Sequence, residues 1–323
     1  MVYNKYIGII GGTGTIGSII VKYLLQLQTH FHVLIGGRRS IKEISMSTFY
    51  NSERLKYNQM NYNNDVELDN FCSQCLLVIN AVGPSFKIND KIALHALRNN
   101  CHYIDIGGYG ILRDLLKPYE KSIEAQKLCF IIGVGWMPGI SGVFSKTIIE
   151  THLNSPENTN FNIYYGAVDN WSYSSTYDLA ASSMGKTHSY VYSHGKEIQV
   201  SPFRYTHHKF FPFIGHKKIC MPSFDEQLTQ LATSLKQIRK ISTFIMLNDY
   251  ISMGKFMFIK IFYKHNLNKA TLMLQDDYQR LVKKENKWGS VICQVSKIEP
   301  ERKIDTFYYL YTKNNLLYTA LPC

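Results

Sequence analysis

Gly12, Gly14 and Gly17 stand at the spacing G-x-G-x-x-G within the run Gly11-Gly12-Thr13-Gly14-Thr15-Ile16-Gly17. That spacing suits a pyrophosphate. Gly12 is expected to permit a tight turn, Gly14 to let the backbone approach the phosphates, and Gly17 to let a helix pack closely on a strand. Thr13, Thr15 and Ile16 fill the turn and the first helical positions, where unpaired N–H groups and the helix dipole attract anions. The competing reading is a tight strand-to-helix turn with no ligand, so the flanking elements decide.

About 20 residues beyond such a turn, a site for NAD places Asp or Glu to hold the ribose 2'-hydroxyl. Here that place reads Ile35-Gly36-Gly37-Arg38-Arg39. No carboxylate repels a 2'-phosphate, and the Arg38 and Arg39 guanidiniums can pair with one or stack on adenine. Gly37, Arg38 and Arg39 therefore select NADP (NADPH) over NAD, with a solvated basic turn as the alternative. A third segment, Asn80-Ala81-Val82-Gly83-Pro84, runs from the end of an apolar strand into a loop. Carboxyl ends of strands near a topological switch point form the cofactor crevice, so this loop is expected beside the nicotinamide ribose.

The elements needed to hold these groups can be read from periodicity. Tyr6 to Ile10 is a short apolar run, and Ile16, Ile19, Ile20, Tyr23, Leu24 and Leu27 recur at helical spacing. Further strands are expected at Phe31–Ile35, Tyr57–Tyr62, Leu76–Ala81, His102–Ile106 and Leu128–Val134. Helices are expected around Ile92–Leu97 and Leu112–Ile123. Six strands alternating with helices predict an α/β fold, a doubly wound parallel Rossmann sheet over residues 1–150. A polar stretch at 154–158 reads as the linker to a second, mixed α+β domain over 151–323. In that domain strands are expected at Phe161–Val168, Ser290–Lys297 and Phe307–Tyr311, a hairpin across Tyr190–Val200, and helices at Tyr177–Met184 and Phe224–Leu235.

Composition narrows the function classes. The 323 residues carry 36 Lys and Arg against 24 Asp and Glu, a formal charge of +12. Only nine of the basic residues are Arg, which argues against a nucleic-acid surface. Residues 1–150 have net +4 and residues 151–323 net +8. That excess reads either as attraction for an anionic ligand or as lysine drift in an AT-rich coding sequence. Seven Cys without a regular framework, and an N-terminus that starts directly on a strand, predict a reducing, cytoplasmic setting. Cys72 and Cys75 have C-x-x-C spacing but no second pair, so two cysteines at a helix-to-strand junction is the preferred reading and no metal is expected. The apolar stretch Ile241–Phe262 contains Asn248, Asp249, Lys255 and Lys260, each costly in a bilayer. It is expected to be a buried helix or strand with no membrane span.

Taken together, G-G-x-G-x-x-G, the Gly-Arg after the second strand, Val78-Ile79-Asn80-Ala81-Val82-Gly83-Pro84 and the segment leading to Tyr103-Ile104-Asp105-Ile106-Gly107-Gly108 resemble the saccharopine dehydrogenase-like family. Ala96 and Asn100 replace the Cys and Gly of that family's last motif. Gly135-Trp136-Met137-Pro138-Gly139 resembles its G-x-x-P-G loop, and the resemblance extends over residues 5 to about 148. It implies an NADP(H)-carrying Rossmann domain, a second domain that closes over the cofactor and often mediates homodimerisation, and reduction of an imine or related double bond. It also implies a helix near the C-terminus packing on the first domain, which the apolar, strand-like end of this sequence does not show.

The resemblance supplies no transferable acid/base pair, so proton donors are chosen by position. Tyr103 and Asp105 alternate onto one face of their strand and His102 onto the other. Asp105, nearest the carboxyl end, is the better catalytic candidate; the alternative is a buried Tyr with a carboxylate capping a turn. His188 and His194 are weaker candidates in the second domain, and His207 and His208 read as part of an aromatic turn. A short-chain dehydrogenase would need Tyr-x-x-x-Lys on a helix. That spacing occurs at Tyr192–Lys196, Tyr205–Lys209 and Tyr309–Lys313, none on an expected helix. The reading is an NADP(H)-dependent reductase of a small-molecule or carrier-protein-bound substrate. A non-catalytic NADP-binding sensor or scaffold is the rival.

Overall fold

The computed structural model describes residues 5–27, 30–40, 52–107, 110–153, 156–184, 189–263, 265–298 and 300–322. Strand β1 (Tyr6–Ile10) leads through the glycine turn into helix α1 (Thr15–Gln26), then β2 (Val33–Gly37) and β3 (Leu55–Gln59). Helix α2 (Asp65–Cys72) starts where the sequence offers a strong cap. The Asn64 side chain accepts from the Val66 and Glu67 N–H groups, and Glu67 reaches back to Asn64 Nδ2 at 2.8 Å. Strand β4 (Cys75–Asn80) follows, then the short α3 (Ser85–Ile88), α4 (Lys91–Arg98) and β5 (His102–Asp105). The helix expected at Leu112–Ile123 is broken into α5 (Gly110–Leu116) and α6 (Glu120–Ala125) by a 3-10 turn that holds Pro118, which has no N–H to continue a helix. Strand β6 (Phe130–Ile132) completes the sheet.

The strand order is β3-β2-β1-β4-β5-β6 and every pairing is parallel. This is the doubly wound Rossmann order, with its switch point between β1 and β4. Alternation along the strands builds a core on each face. Ile10, Val78 and Tyr103 join Leu68, Phe71, Ile92 and Leu112 of the helices on one side. Ile9, Val33, Ile35 and Ile79 pack with Ile20 and Val21 of α1 on the other.

The second half begins with α7 (Ile140–His152) and β7 (Thr159–Val168), separated in part by a 3-10 turn at residues 156–158. Helix α8 (Tyr173–Met184) and the hairpin β8 (Ser189–Ser193) and β9 (Lys196–Val200) follow, close to expectation. The short α9 (Pro202–Tyr205) leads into a second hairpin, β10 (His207–Phe211) and β11 (His216–Pro222). His207 and His208 thus lie on a strand and not in a turn. After α10 (Glu226–Ser234), the apolar stretch at 241–262 resolves into β12 (Lys240–Leu247) and α11 (Tyr250–Phe262). Asp249 divides them: its Oδ1 accepts from the Ser252 N–H at 2.9 Å, capping α11, and Arg280 pairs with it in bidentate fashion. Burial alone would raise the Asp249 carboxyl, but these bonds hold it at about 2. Helix α12 (Leu267–Val282), β13 (Trp288–Ile298), β14 (Lys303–Thr312) and α13 (Asn315–Ala320) end the chain.

The second sheet is mixed, with the order β10-β11-β12-β7-β13-β14 and β8–β9 attached to β12. Only β12 and β7 pair in parallel in that path. Two compact units emerge: residues 1–136 with 316–323, and residues 137–315. The boundary therefore falls before α7, where the sequence reading placed it at residue 150. The helix missing from that reading is α13, whose Ala320 is buried in the α1-side core of the first unit. No described helix is long and apolar enough to cross a membrane.

Candidate functional site

At the end of β1 the chain turns sharply, and the residue with positive φ is Gly11, at +82°. The tight-turn role assigned to Gly12 belongs to Gly11. Gly12 is instead pinned by packing, since a Cβ there would stand 2.8 Å from Ile35 Cγ2. Gly17 is the most crowded of the set: a Cβ would enter the Gly11 carbonyl oxygen and stand 2.7 Å from Gly12 Cα. Gly14 differs, because the space above it is open except for Gly11 O at 3.1 Å.

Gly14 is also the N-cap of α1, with no side chain satisfying the first N–H groups and no acidic residue in the first turn. Thr15 is exposed there, Thr13 is half-buried, and the Ile16 side chain packs into the core below, leaving only its backbone to serve a ligand. An exposed, uncapped helix start beside a glycine without side-chain cover is a cradle for phosphate oxygens. The residues present fit a dinucleotide pyrophosphate.

At the end of β2, Arg38 and Arg39 are exposed, and among the described residues neither guanidinium has a partner. Their backbone is held: the single Tyr57 Oη–H is shared between Gly37 O, at 3.0 Å, and Arg39 O, and Gln59 Nε2 donates to Arg38 O. Tyr57, on neighbouring β3, was not foreseen from sequence. A Cβ on Gly37 would meet Tyr57 Oη at 3.2 Å and Thr13 Oγ1 at 3.4 Å, so the glycine turn and the arginine turn are adjacent.

Strand β4 delivers the third segment beside the first. Ala81 N donates to Ile10 O at 2.9 Å, and a Cβ on Gly11 would touch Ala81 and Val82. Asn80 Oδ1 accepts from Val82 N at 3.0 Å, fixing the loop that continues through the cis Gly83-Pro84 bond. The loop residues Val82, Gly83 and Pro84 are half-buried.

Tyr103 and Asp105 share a face, as alternation requires, but that face is inside. Tyr103 is 0% exposed and Asp105 2%. Asp105 Oδ2 accepts from Tyr103 Oη at 2.6 Å and from Asn80 Nδ2 at 2.8 Å, while Oδ1 accepts from Gly107 N at 2.9 Å. Burial and the adjacent carboxylate hold the Tyr103 phenol well above its ordinary pKa. His102 points elsewhere, its Nδ1 accepting from Cys129 N at 3.0 Å. Gly108 lies outside the described residues.

The remaining candidates are dispersed. Cys72 ends α2 and Cys75 opens β4; both are buried and burial pushes both thiols up, the reverse of what a reactive cysteine needs. Among the described residues no group of three or more His, Cys, Asp or Glu is placed to hold a metal. His194 sits with φ +49° at the exposed tip of the β8–β9 hairpin, and His188 lies outside the described residues. Tyr192–Lys196 spans that hairpin, Tyr205–Lys209 runs from α9 into β10, and Tyr309–Lys313 leaves β14. None places Tyr and Lys on one helix.

Comparison with family models gives the decisive finding for the first unit: residues 7–129 match the saccharopine dehydrogenase NADP binding domain. The match spans well under half of the chain, and these residues are similar to that domain. The cofactor of the NADP binding domain is accordingly NADP(H). Among solved structures, apo saccharopine dehydrogenase (L-Glu forming) from Saccharomyces cerevisiae is similar over 98% of this chain and 89% of its own. It is 14% identical, with a TM-score of 0.64, so the fold of both units is shared. DAP dehydrogenase from C. glutamicum, in complex with DAP, aligns over 98% of this chain and 86% of its own at 10% identity and a TM-score of 0.47. No curated protein matches the sequence.

Proposed function

We propose that this protein is an NADP(H)-dependent oxidoreductase that reduces a C=N bond, or a related double bond, of a small or carrier-bound substrate. The observation that carries the reading is the pairing of an uncapped α1 N-terminus with two guanidiniums at the end of β2 that have no partner among the described residues. The family match and the fold likeness to a dehydrogenase support the same class.

In this reading the N–H groups of Thr15 and Ile16, at the start of α1, bind the pyrophosphate, Gly14 gives it room while its own N–H closes the turn on Gly11 O at 2.8 Å, and the Arg38–Arg39 pair takes the 2'-phosphate by charge-assisted, bidentate bonds. The Asn80–Pro84 loop orients the nicotinamide ribose. When bound, the cofactor supplies the hydride. Asp105 and Tyr103 are positioning residues: three donors converge on one buried carboxylate and thereby fix the ends of β4 and β5. They are not the proton donor, because neither is exposed to a substrate and the phenol is held protonated. An imine substrate needs one proton on nitrogen for each hydride on carbon, and that proton comes from a group other than these two or from solvent.

The test is turnover. NADPH mixed with the protein and a panel of imines and enones, including amine–keto-acid pairs, should lose absorbance at the reduced-nicotinamide band only when protein is present. Tight NADPH binding with no loss for any member of the panel would favour a sensor over an enzyme.

A further inference from the structure

The second unit contains a concavity of about 390 Å³ on the face of its mixed sheet, well away in sequence from the glycine turn. Arg204, Lys209, Lys240 and Lys303 all line it. One carboxylate stands close by, Asp305, and it is engaged by Lys303 at 3.2 Å. Among the described residues Arg204, Lys209 and Lys240 form no ion pair.

The cations are held in place by neutral groups. Lys209 Nζ donates to Gln294 Oε1 at 2.7 Å and lies 4.9 Å from the ring centroids of both Tyr164 and Phe307. Lys240 Nζ donates to Tyr205 Oη at 3.2 Å and lies 4.7 Å from that ring. Both lysines are half-buried, and burial pulls the Lys209 ammonium below the usual lysine range. A surface lysine would turn to water; these two are aimed into a shared space, form no ion pair among the described residues, and have near them the Asp305 carboxylate, already engaged by Lys303, an arrangement that an added anion would relieve. Asn160, on the same wall, keeps its Oδ1 buried without a hydrogen-bond partner, so the space also offers an unused acceptor. The cavity is large enough for a small molecule.

We propose that this concavity is a binding site for a small organic polyanion carrying at least two negative charges and a hydroxyl, with Arg204, Lys209 and Lys240 as its cationic contacts and Asn160 accepting from the hydroxyl. The charges are carboxylates or phosphoryl oxygens, both of which suit a cluster of one guanidinium and several ammonium groups. The site accounts for part of the positive excess of the second half by a specific contact. It is independent of the NADP(H) reading, because none of its residues belongs to the glycine or arginine turns.

Calorimetric titration of the full-length protein with citrate and with glucose 6-phosphate, at fixed physiological ionic strength, tests it. Saturable binding of at least one is expected, and the stronger of the two identifies polycarboxylate or phosphoryl as the preferred class. Lys240→Gln and Lys209→Gln should each weaken it about tenfold, the loss of one charge-assisted contact. Arg204→Gln, at an exposed residue whose replacement does not threaten folding, should do the same. NADPH affinity should be unchanged in all three variants. Binding of neither anion, or binding that all folded variants retain at wild-type strength, would overturn the proposal. A loss of NADPH affinity parallel to the loss of anion affinity would also overturn it, by showing that the anions compete at the cofactor site.

Discussion

Alanine at position 17 is expected to destabilise the first unit strongly, whereas alanine at position 14 is expected to leave its stability intact and weaken NADPH binding. The substitution is the same and the spacing is three residues. At Gly17 the new methyl would enter the Gly11 carbonyl and crowd Gly12 Cα at 2.7 Å, and both are backbone atoms of a turn that cannot retreat without breaking the β1–α1 junction. Overpacking of this kind costs about 3 kcal/mol. For a unit of this size that lowers Tm by roughly 10 °C. At Gly14, φ is −80°, a conformation alanine adopts freely, and one atom lies near the new methyl, Gly11 O at 3.1 Å. The methyl instead occupies the open space through which the pyrophosphate must approach the backbone. Melting curves and NADPH titrations of the two variants should separate the effects: a large Tm loss for Gly17→Ala, and for Gly14→Ala a Tm near wild type with NADPH binding at least about tenfold weaker. If Gly14→Ala binds NADPH normally, the phosphates do not lie where the turn suggests.

The second large effect concerns Asp105. Replacing it with Ala leaves Asn80 Nδ2, Tyr103 Oη and Gly107 N with no acceptor in a site where the carboxyl is 2% exposed. Each buried donor left without an acceptor costs roughly 1–3 kcal/mol. Asp105→Asn should be destabilising as well, because an amide cannot accept from donors on both of its ends. A positioning role therefore predicts a lower Tm and weaker NADPH binding in both variants. A proton-donating role predicts something different, namely a stable Asp105→Asn protein that binds NADPH normally and loses turnover alone. That second pattern would return Asp105 to catalysis.

Much of the first unit is legible in the sequence because each of its signals is local. Short apolar runs mark the strands, and the glycine spacing marks the turn between β1 and α1. The Gly11-Gly12 pair shows the limit: adjacent glycines look alike in sequence, and which one takes positive φ is decided by the packing of Gly12 on Ile35. Alternation correctly placed Tyr103 and Asp105 on one face. The alternative reading, a buried Tyr with a carboxylate capping a turn, is the one the structure has; what decides for it lies outside the local sequence, in Asn80, 25 residues away from Asp105, and in the helices that cover that face.

The second unit hid more. Residues 241–262 read as one apolar stretch because the interruption at Asn248-Asp249 looked like a cost to a membrane span, when Asp249 is the cap that separates a strand from a helix. Helix α12 was missed altogether. It buries Asp277 in line with Ala270, Leu274 and Leu281, and that carboxylate is tolerable only because Arg280 and Lys255 reach it. The cation cluster of the sheet face is also invisible in sequence, since α9, β10, β12 and β14 each contribute one of its four positive charges.

Arg38 and Arg39 are proposed to read the 2'-phosphate of NADP(H), and the cofactor preference of the protein follows from that contact. Its most direct test is a parallel titration of the wild-type protein and the Arg38→Ala/Arg39→Ala variant with NADPH and NADH. The arginines are exposed and have no side-chain partner among the described residues, so the variant should keep the wild-type Tm. Wild type is expected to bind NADPH at least about tenfold more tightly than NADH, and the variant to lose most of that preference through weaker NADPH binding, with NADH little changed. Equal losses for the two nucleotides, or a wild-type protein that does not distinguish them, would contradict the assignment.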